Sequence, residues 1–194
     1  MIIGITGGTG CGKTTALKTL QQLGAVILDC DAIYHNLLKK DASLLSAIER
    51  RFPGSVEQGN LNRLALADIV FRDTQALQDL NRLTHSAVKK QVEMELASCP
   101  KLAAIDAIAL FEAGLSELCD VTVAVTAPEQ VRIHRLMNRD GITQAQAAQR
   151  IAAQRPQEEF SALCDYTLHN DGTQPEFEAK CLAFFKRLCI MELS

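Results

Sequence analysis

The sequence has no run of about 18 or more apolar residues, so it has no segment able to cross a bilayer as a helix. It opens Met1-Ile2-Ile3-Gly4, without the basic leader and small-residue cleavage site of a secretory signal, which predicts a cytoplasmic protein. Basic charge is not in surplus: 20 Lys and Arg stand against 23 Asp and Glu, a formal net charge of -3. A nucleic-acid backbone demands concentrated Lys and Arg, so the balance argues against nucleic acid as the partner and leaves a small anionic ligand open. The seven cysteines, at 11, 30, 99, 119, 164, 181 and 189, form no C-x-x-C pair, and no histidine spacing completes a metal site. An odd count at scattered positions predicts reduced thiols, most of them small core residues. There is no internal repeat and no low-complexity tract.

What is present suits one globular domain carrying an insertion: 194 residues, 47% of them hydrophobic. Ile2, Ile3 and Ile5 form a short apolar strand that breaks into glycines, and a helical pattern follows from Lys13 to about Gln22. Further buried strands are predicted at Ala25 to Leu28, Leu102 to Ile105, Val121 to Val125 and Tyr166 to Leu168. Short β-branched runs alternating with helices predict an α/β fold: a three-layer P-loop architecture with a five-stranded parallel sheet covered on both faces.

Between the second and third strands, roughly seventy residues carry only helical pattern. Leu44, Leu45, Ile48 and Phe52 share a face; Leu64, Ala67, Ile69 and Phe71 follow a turn at Gly59-Asn60-Leu61; Leu77, Leu80, Leu83, Val88, Val92 and Leu96 mark a long helix. This is too much for a crossover and predicts a helical substrate-binding insert at the carboxyl ends of the strands, where open α/β sheets bind ligands. Thr126-Ala127-Pro128-Glu129 reads as a helix start capped by Thr126, and its helix breaks at Asp140-Gly141 before a second start at Thr143. The expected organisation is a nucleotide-binding core over 1–31, 100–138 and 156–194, the insert over 32–99 and a small lid over 139–155.

Gly7-Gly8-Thr9-Gly10-Cys11-Gly12-Lys13-Thr14 fits G-x-x-x-x-G-K-[ST] at every defined position. Its glycines allow backbone N–H groups to face phosphate oxygens, and the helix opening at Lys13 aims its positive end at the same anion. Lys13 would neutralise the β and γ phosphates, and the Thr14 hydroxyl would hold Mg²⁺. Cys11, beside that helix N-terminus, reads as a thiolate or as an inert small residue. GTPases need N-K-x-D and D-x-x-G elements, and neither string occurs, which leaves a small-molecule kinase.

A kinase also places a carboxylate by the acceptor hydroxyl and excludes water during transfer. Asp31, just past the second strand, is the candidate base, with Asp29 as competitor; capping a helix that begins near Ala32 is the other reading of Asp31. Arg132, Arg135 and Arg139 share a helical face. Arg132 reads as a solvated charge and Arg139, at the hinge of the lid, as a phosphate clamp.

These residues resemble the dephospho-CoA kinase family over nearly the whole chain. Thr6 to Thr15 is similar to that family's T-G-G-x-G-S-G-K-S-T, and Asp29-Cys30-Asp31 to its D-A-D, whose second Asp is taken as the base. Gly59-x-Leu61-Asn62-Arg63 resembles G-x-L-N-R, Leu80-Asn81-x-x-Thr84-His85 resembles L-N-x-x-x-H-P, and Leu110-Phe111-Glu112 resembles the end of P-L-L-F-E. Arg135-Leu136-x-x-Arg139-Asp140-Gly141 and Ala147-x-x-Arg150-Ile151-x-x-Gln154 resemble its lid, and Asn170-x-Gly172 its closing N-x-G. Cys11 stands for the usual Ser, Ser86 for the Pro after His85, and Ile108 for the Pro of P-L-L-F-E.

The resemblance implies transfer of the ATP γ phosphate to the ribose 3′-hydroxyl of dephospho-CoA, with ATP held by Gly8, Thr9, Gly10, Cys11, Gly12, Lys13, Thr14, Thr15 and Asn170. Catalysis would rest on Lys13, Asp31 and Arg139, and acceptor binding on Arg63, His85 and Glu112. Partners would be the two small molecules alone, without nucleic acid or membrane, in a monomer or weak homo-oligomer. The residues taken without the resemblance leave open a kinase for a nucleoside, a nucleoside monophosphate or shikimate, and a nucleotide-gated module without turnover.

Overall fold

Five short apolar strands can be buried on both faces only if helices cover each side of their sheet. The computed structural model, which describes residues 1–98 and 101–191, has that arrangement; Cys99 and the expected boundary between 99 and 100 lie outside the described residues. In chain order come β1 (Ile2–Thr6), α1 (Lys13–Gln22), β2 (Val26–Asp29), α2 (Cys30–Lys40), α3 (Ala42–Arg51), β3 (Val56–Glu57), β4 (Asn60–Leu61), α4 (Arg63–Val70) and α5 (Thr74–Leu96). Then follow β5 (Ala103–Asp106), a 3-10 turn at Leu115–Leu118, β6 (Val121–Thr126), α6 (Glu129–Asp140), α7 (Gln144–Ala152), α8 (Gln157–Leu163), β7 (Tyr166–His169) and α9 (Gln174–Met191).

The five-stranded sheet has the order β2-β5-β1-β6-β7, and every pairing in it is parallel. One face packs on α1 and α9 through Leu17, Leu20, Phe177 and Phe185; the other packs on α2 and α5 through Ile33, Val88 and Val92. The α/β class expected from the strand pattern is therefore the observed one. Parallel register lines up the carboxyl ends of all strands, and Asp29 of β2 lies beside Asp106 of β5.

Residues between β2 and β5 build a core of their own, from Leu44, Ile48, Phe52, Leu66, Val70 and Leu80. Here the structure corrects two expectations. Leu64 and Phe71 are 85% and 83% exposed, and it is Leu66 and Val70 that face inward. With α4 only eight residues long, two faces fit its apolar pattern and contact with α5 selects one. The turn at Gly59 belongs to a two-stranded hairpin, β3 with β4, reversed at Gln58 and Gly59 with φ of 49° and 78°. Positive φ at both central residues is the two-residue turn whose twist matches its strands.

The lid start also differs. Thr126 remains in β6, accepts a hydrogen bond from the Asn170 N–H at 2.7 Å, and its Oγ1 lies 2.8 Å from His169 Nδ1. Held by the sheet, it caps nothing; the residue before α6 is Pro128. Thr143 does start α7, in a reciprocal capping box with Gln146. Contacts among Ile133, Leu136 and Ala147 join α6 to α7. Among the described residues no helix is long and apolar enough to cross a membrane.

Candidate active site

Residues 7–12 turn between β1 and α1 in a conformation that demands glycine. Gly7 has φ of 135°, and a Cβ there would lie 2.2 Å from the Val125 carbonyl oxygen; Gly12 has φ of 106°, and a Cβ would lie 2.2 Å from Asn170 Nδ2. Among the described residues, the N–H groups of Gly10, Gly12 and Thr14 make no hydrogen bond within the chain. Unpaired N–H groups at a helix N-terminus form an anion site.

Lys13 completes it. Its Nζ donates to the Gly7 carbonyl at 3.1 Å and lies 3.9 Å from Asp106 Oδ1. That carboxylate oxygen is buried and has no hydrogen-bond partner. Burial pushes the Asp106 carboxyl above its ordinary range, Lys13 pulls it down, and Asp29 and Asp31 push it further up. An orphaned carboxylate oxygen and the exposed Thr14 hydroxyl, both lining one cavity, are hard oxygen donors of the type Mg²⁺ takes.

That cavity, of about 650 Å³, runs along residues 8–14 to Asp31, Asp106 and, from α6, Arg135 and Arg139. A second, of about 190 Å³, is lined by Tyr34, Asn81, Thr84, His85 and the segment after β5. Asp31 and Ile108 line both. Asp29, by contrast, caps α2: its Oδ1 accepts from the Ala32 N–H at 2.9 Å. The helix begins at Cys30, so Asp31 lies in its first turn and is not its cap. In the second cavity, burial and the charges of Asp106, Asp29 and Asp31 push the Cys30 thiol up to about 12, leaving it neutral.

The other candidates are placed as follows. His85 lines the second cavity from α5. Arg63 is exposed at the start of α4, and its charge opposes the rise that burial imposes on the Tyr34 hydroxyl. Glu112 pairs with Arg155 at 2.5 Å, linking the loop after β5 to the residues after α7. Arg139 is held bidentate by its neighbour Asp140, at 2.7 and 3.0 Å, and Asp140 also takes Arg150 at 2.8 Å. Asn170 is buried behind the loop: its Nδ2 donates to the Cys11 carbonyl at 2.9 Å and its Oδ1 accepts from Arg135 at 3.0 Å. Thr15 lies in the first turn of α1. Cys11 is 1% exposed, and burial outweighs the neighbouring Lys13 charge to raise its thiol pKa, which favours the neutral thiol.

Arg132 is where sequence reasoning missed most. It is 3% exposed, and it donates to the Thr9 carbonyl at 2.9 Å. Its position four residues before the fully buried Leu136 puts both on the inward face of α6, a signal legible in the sequence.

A dephospho-CoA kinase family profile matches residues 1–176. The chain belongs to the dephospho-CoA kinase family. As a member of it the chain is an ATP-dependent kinase. It is 34% identical to the dephospho-CoA kinase of Syntrophotalea carbinolica over 194 residues, covering 97% of this chain and 92% of that one. A crystal structure from Thermus thermophilus superposes with a TM-score of 0.80 at 32% identity, over 100% of this chain and 98% of the other. Dephospho-CoA kinase from Campylobacter jejuni shares the fold, with a TM-score of 0.68 at 23% identity over 96% of each chain.

Proposed function

We propose that the protein transfers the γ phosphate of ATP to the ribose 3′-hydroxyl of dephospho-CoA, giving coenzyme A and ADP, the last step of coenzyme A synthesis. One observation carries the reading: the phosphate-loop cavity and the smaller cavity meet at Asp31. A donor phosphoryl group in the first and an acceptor hydroxyl in the second would come together at that carboxylate.

The residues then take these roles. The N–H groups of Gly8 to Thr15 that remain free cradle the phosphates, and Lys13 opposes the charge that develops on the β–γ bridge. Asp31 accepts the proton of the attacking hydroxyl as the phosphorus–oxygen bond forms. Arg139 leaves Asp140 to clamp the transferring phosphoryl group as the segment 139–155 closes as a lid. Asn170 serves the nucleotide through the Cys11 carbonyl. Arg63, His85 and Glu112 hold the acceptor within an insert over 32–99, with the nucleotide core formed by 1–31, 100–138 and 156–194. Thr14 and Asp106 would hold Mg²⁺, which would supply positive charge against that of the phosphates. The protein works in the cytoplasm on small molecules, as a monomer or weak homo-oligomer.

The test is ADP release coupled to a reporter, with dephospho-CoA offered beside adenosine, AMP, CMP and shikimate, with and without Mg²⁺. Turnover is expected with dephospho-CoA and Mg²⁺. Faster turnover with any of the other acceptors would replace the reading, and ATP binding without ADP release would make the chain a binding module.

A further inference from the structure

Behind the phosphate loop lies a brace that the proposed chemistry does not use. The buried Arg132 makes no ion pair among the described residues; its partners are neutral oxygens. Nε donates to the Thr9 carbonyl at 2.9 Å, and Nη2 reaches Gln154 Oε1 at 3.5 Å. The same Oε1 accepts from the Thr9 N–H at 2.7 Å. Both backbone polar groups of Thr9 are thus held from the α6–α7 side. The fit is close: a Cβ on Gly8 would lie 2.5 Å from Nη2.

Two consequences follow from elementary chemistry. In a planar trans peptide the C=O and the next N–H point in opposite directions. Pinning the Thr9 carbonyl backward therefore turns the Gly10 N–H forward, and that N–H is one of those with no partner in the chain. Second, a buried guanidinium is costly unless negative charge compensates it. No carboxylate among the described residues lies within ion-pair distance of Arg132; burial works against its protonated form, and the nearby Glu129 charge offsets that only in part. A polyphosphate on the opposite side of the loop would supply the remaining compensation.

We propose that Arg132 is a positioning residue for the polyphosphate: it fixes the Thr9 peptide so that the Gly10 N–H faces the ligand, and lends the loop a buried positive charge. The inference rests on the phosphate loop binding ATP, as read above, and extends it to a side chain that lines neither cavity. Because Gln154 lies two residues past the end of α7, the brace also ties the lid segment to the loop's apex.

The probe is inorganic tripolyphosphate, which carries the charge of the ATP chain without its nucleoside. Calorimetric titration of the full chain should show Arg132→Gln binding it about tenfold more weakly than the parent, the effect of one charge at short range through partly screened protein. In steady state, KM for ATP should rise by a similar factor while KM for dephospho-CoA stays within about twofold. Arg132→Lys, which keeps the charge and loses the fork, should recover part of the loss. A merely structural role would lower the melting temperature and leave this split unmoved. Tripolyphosphate binding within twofold of the parent, an equal rise in both KM values, or a lysine no better than glutamine would each overturn the proposal. Should Arg132→Gln fail to fold, Gln154→Ala carries the test: a few-fold weaker tripolyphosphate binding supports the brace and unchanged binding overturns it. If the parent binds tripolyphosphate but does not phosphorylate dephospho-CoA, the acceptor assignment fails and the brace stands.

Discussion

Asp29 and Asp31 lie two residues apart and do different things: Asp29 accepts the Ala32 N–H at 2.9 Å as the cap of α2, while Asp31 faces the place where two cavities meet. The difference is testable because Asn preserves a cap and abolishes a base. Asp31→Asn should lower kcat by roughly 10²–10⁴ with little change in ATP affinity. Asp29→Asn should keep near-normal activity and stability, since Asn caps a helix as well as Asp. Loose phosphoryl transfer, with late proton loss, places the expected value toward the lower end. A dead Asp29 variant beside an active Asp31 variant would reverse the assignment.

Lys13→Ala should reduce kcat by far more than tenfold, because the point charge opposite the developing phosphate charge disappears. A variant keeping more than about a tenth of the parent's kcat loses only ~1.4 kcal/mol and would contradict the phosphate-loop chemistry. Lys13 also lies 3.9 Å from the half-buried Asp106, so a melting curve of the same variant should report destabilisation separately from the kinetic loss.

Cys11 should resist iodoacetamide at neutral pH both with and without ATP and Mg²⁺. Burial raises its pKa, and the thiolate is the reactive form. Mass spectrometry after brief labelling checks this; modification that nucleotide suppresses would mean that the loop opens and exposes a thiolate.

Acid sensitivity should concentrate partly at Asp79. Hydrogen bonds from Arg51 and Gln75, with the Arg51 and Arg82 charges, hold its carboxyl below the ordinary range. Its folded pKa is the depressed one, so its contribution is complete above the unfolded value of ~3.9 and is lost as pH falls through the folded value. Urea midpoints measured at pH 7 and near pH 3 should therefore converge more in Asp79→Asn than in the parent. An unchanged difference between the two pH values would exclude the contribution.

The repeating strand and helix pattern, the phosphate loop and the order of the family's fragments are local or sequential features, and they were legible without coordinates. The strands Ile2–Thr6 and Val121–Thr126 follow from apolar β-branched runs, and Lys13 and Thr14 from a spacing that the loop's own geometry imposes. Two-sided burial of such strands leaves little choice but a parallel sheet.

What remained hidden depends on which surface an element meets. An eight-residue α4 with apolar residues on two faces does not say whether Leu64 or Leu66 turns inward; packing against α5 decides. Thr126 has the chemistry of a cap and the position of a strand end, and pairing of β6 with β7 settles which. Asp29 and Asp31 are one residue type near one helix start, and only the path of α2 gives one the backbone and the other the cavities. Arg132 marks the clearest limit. By itself the sequence determined that an arginine stands on α6; only the tertiary structure, by setting that helix face against Thr9 and Gln154, decided that its charge would be buried. Hydrogen-bond geometry and desolvation depend on neighbours distant in the chain, and no local pattern encodes them.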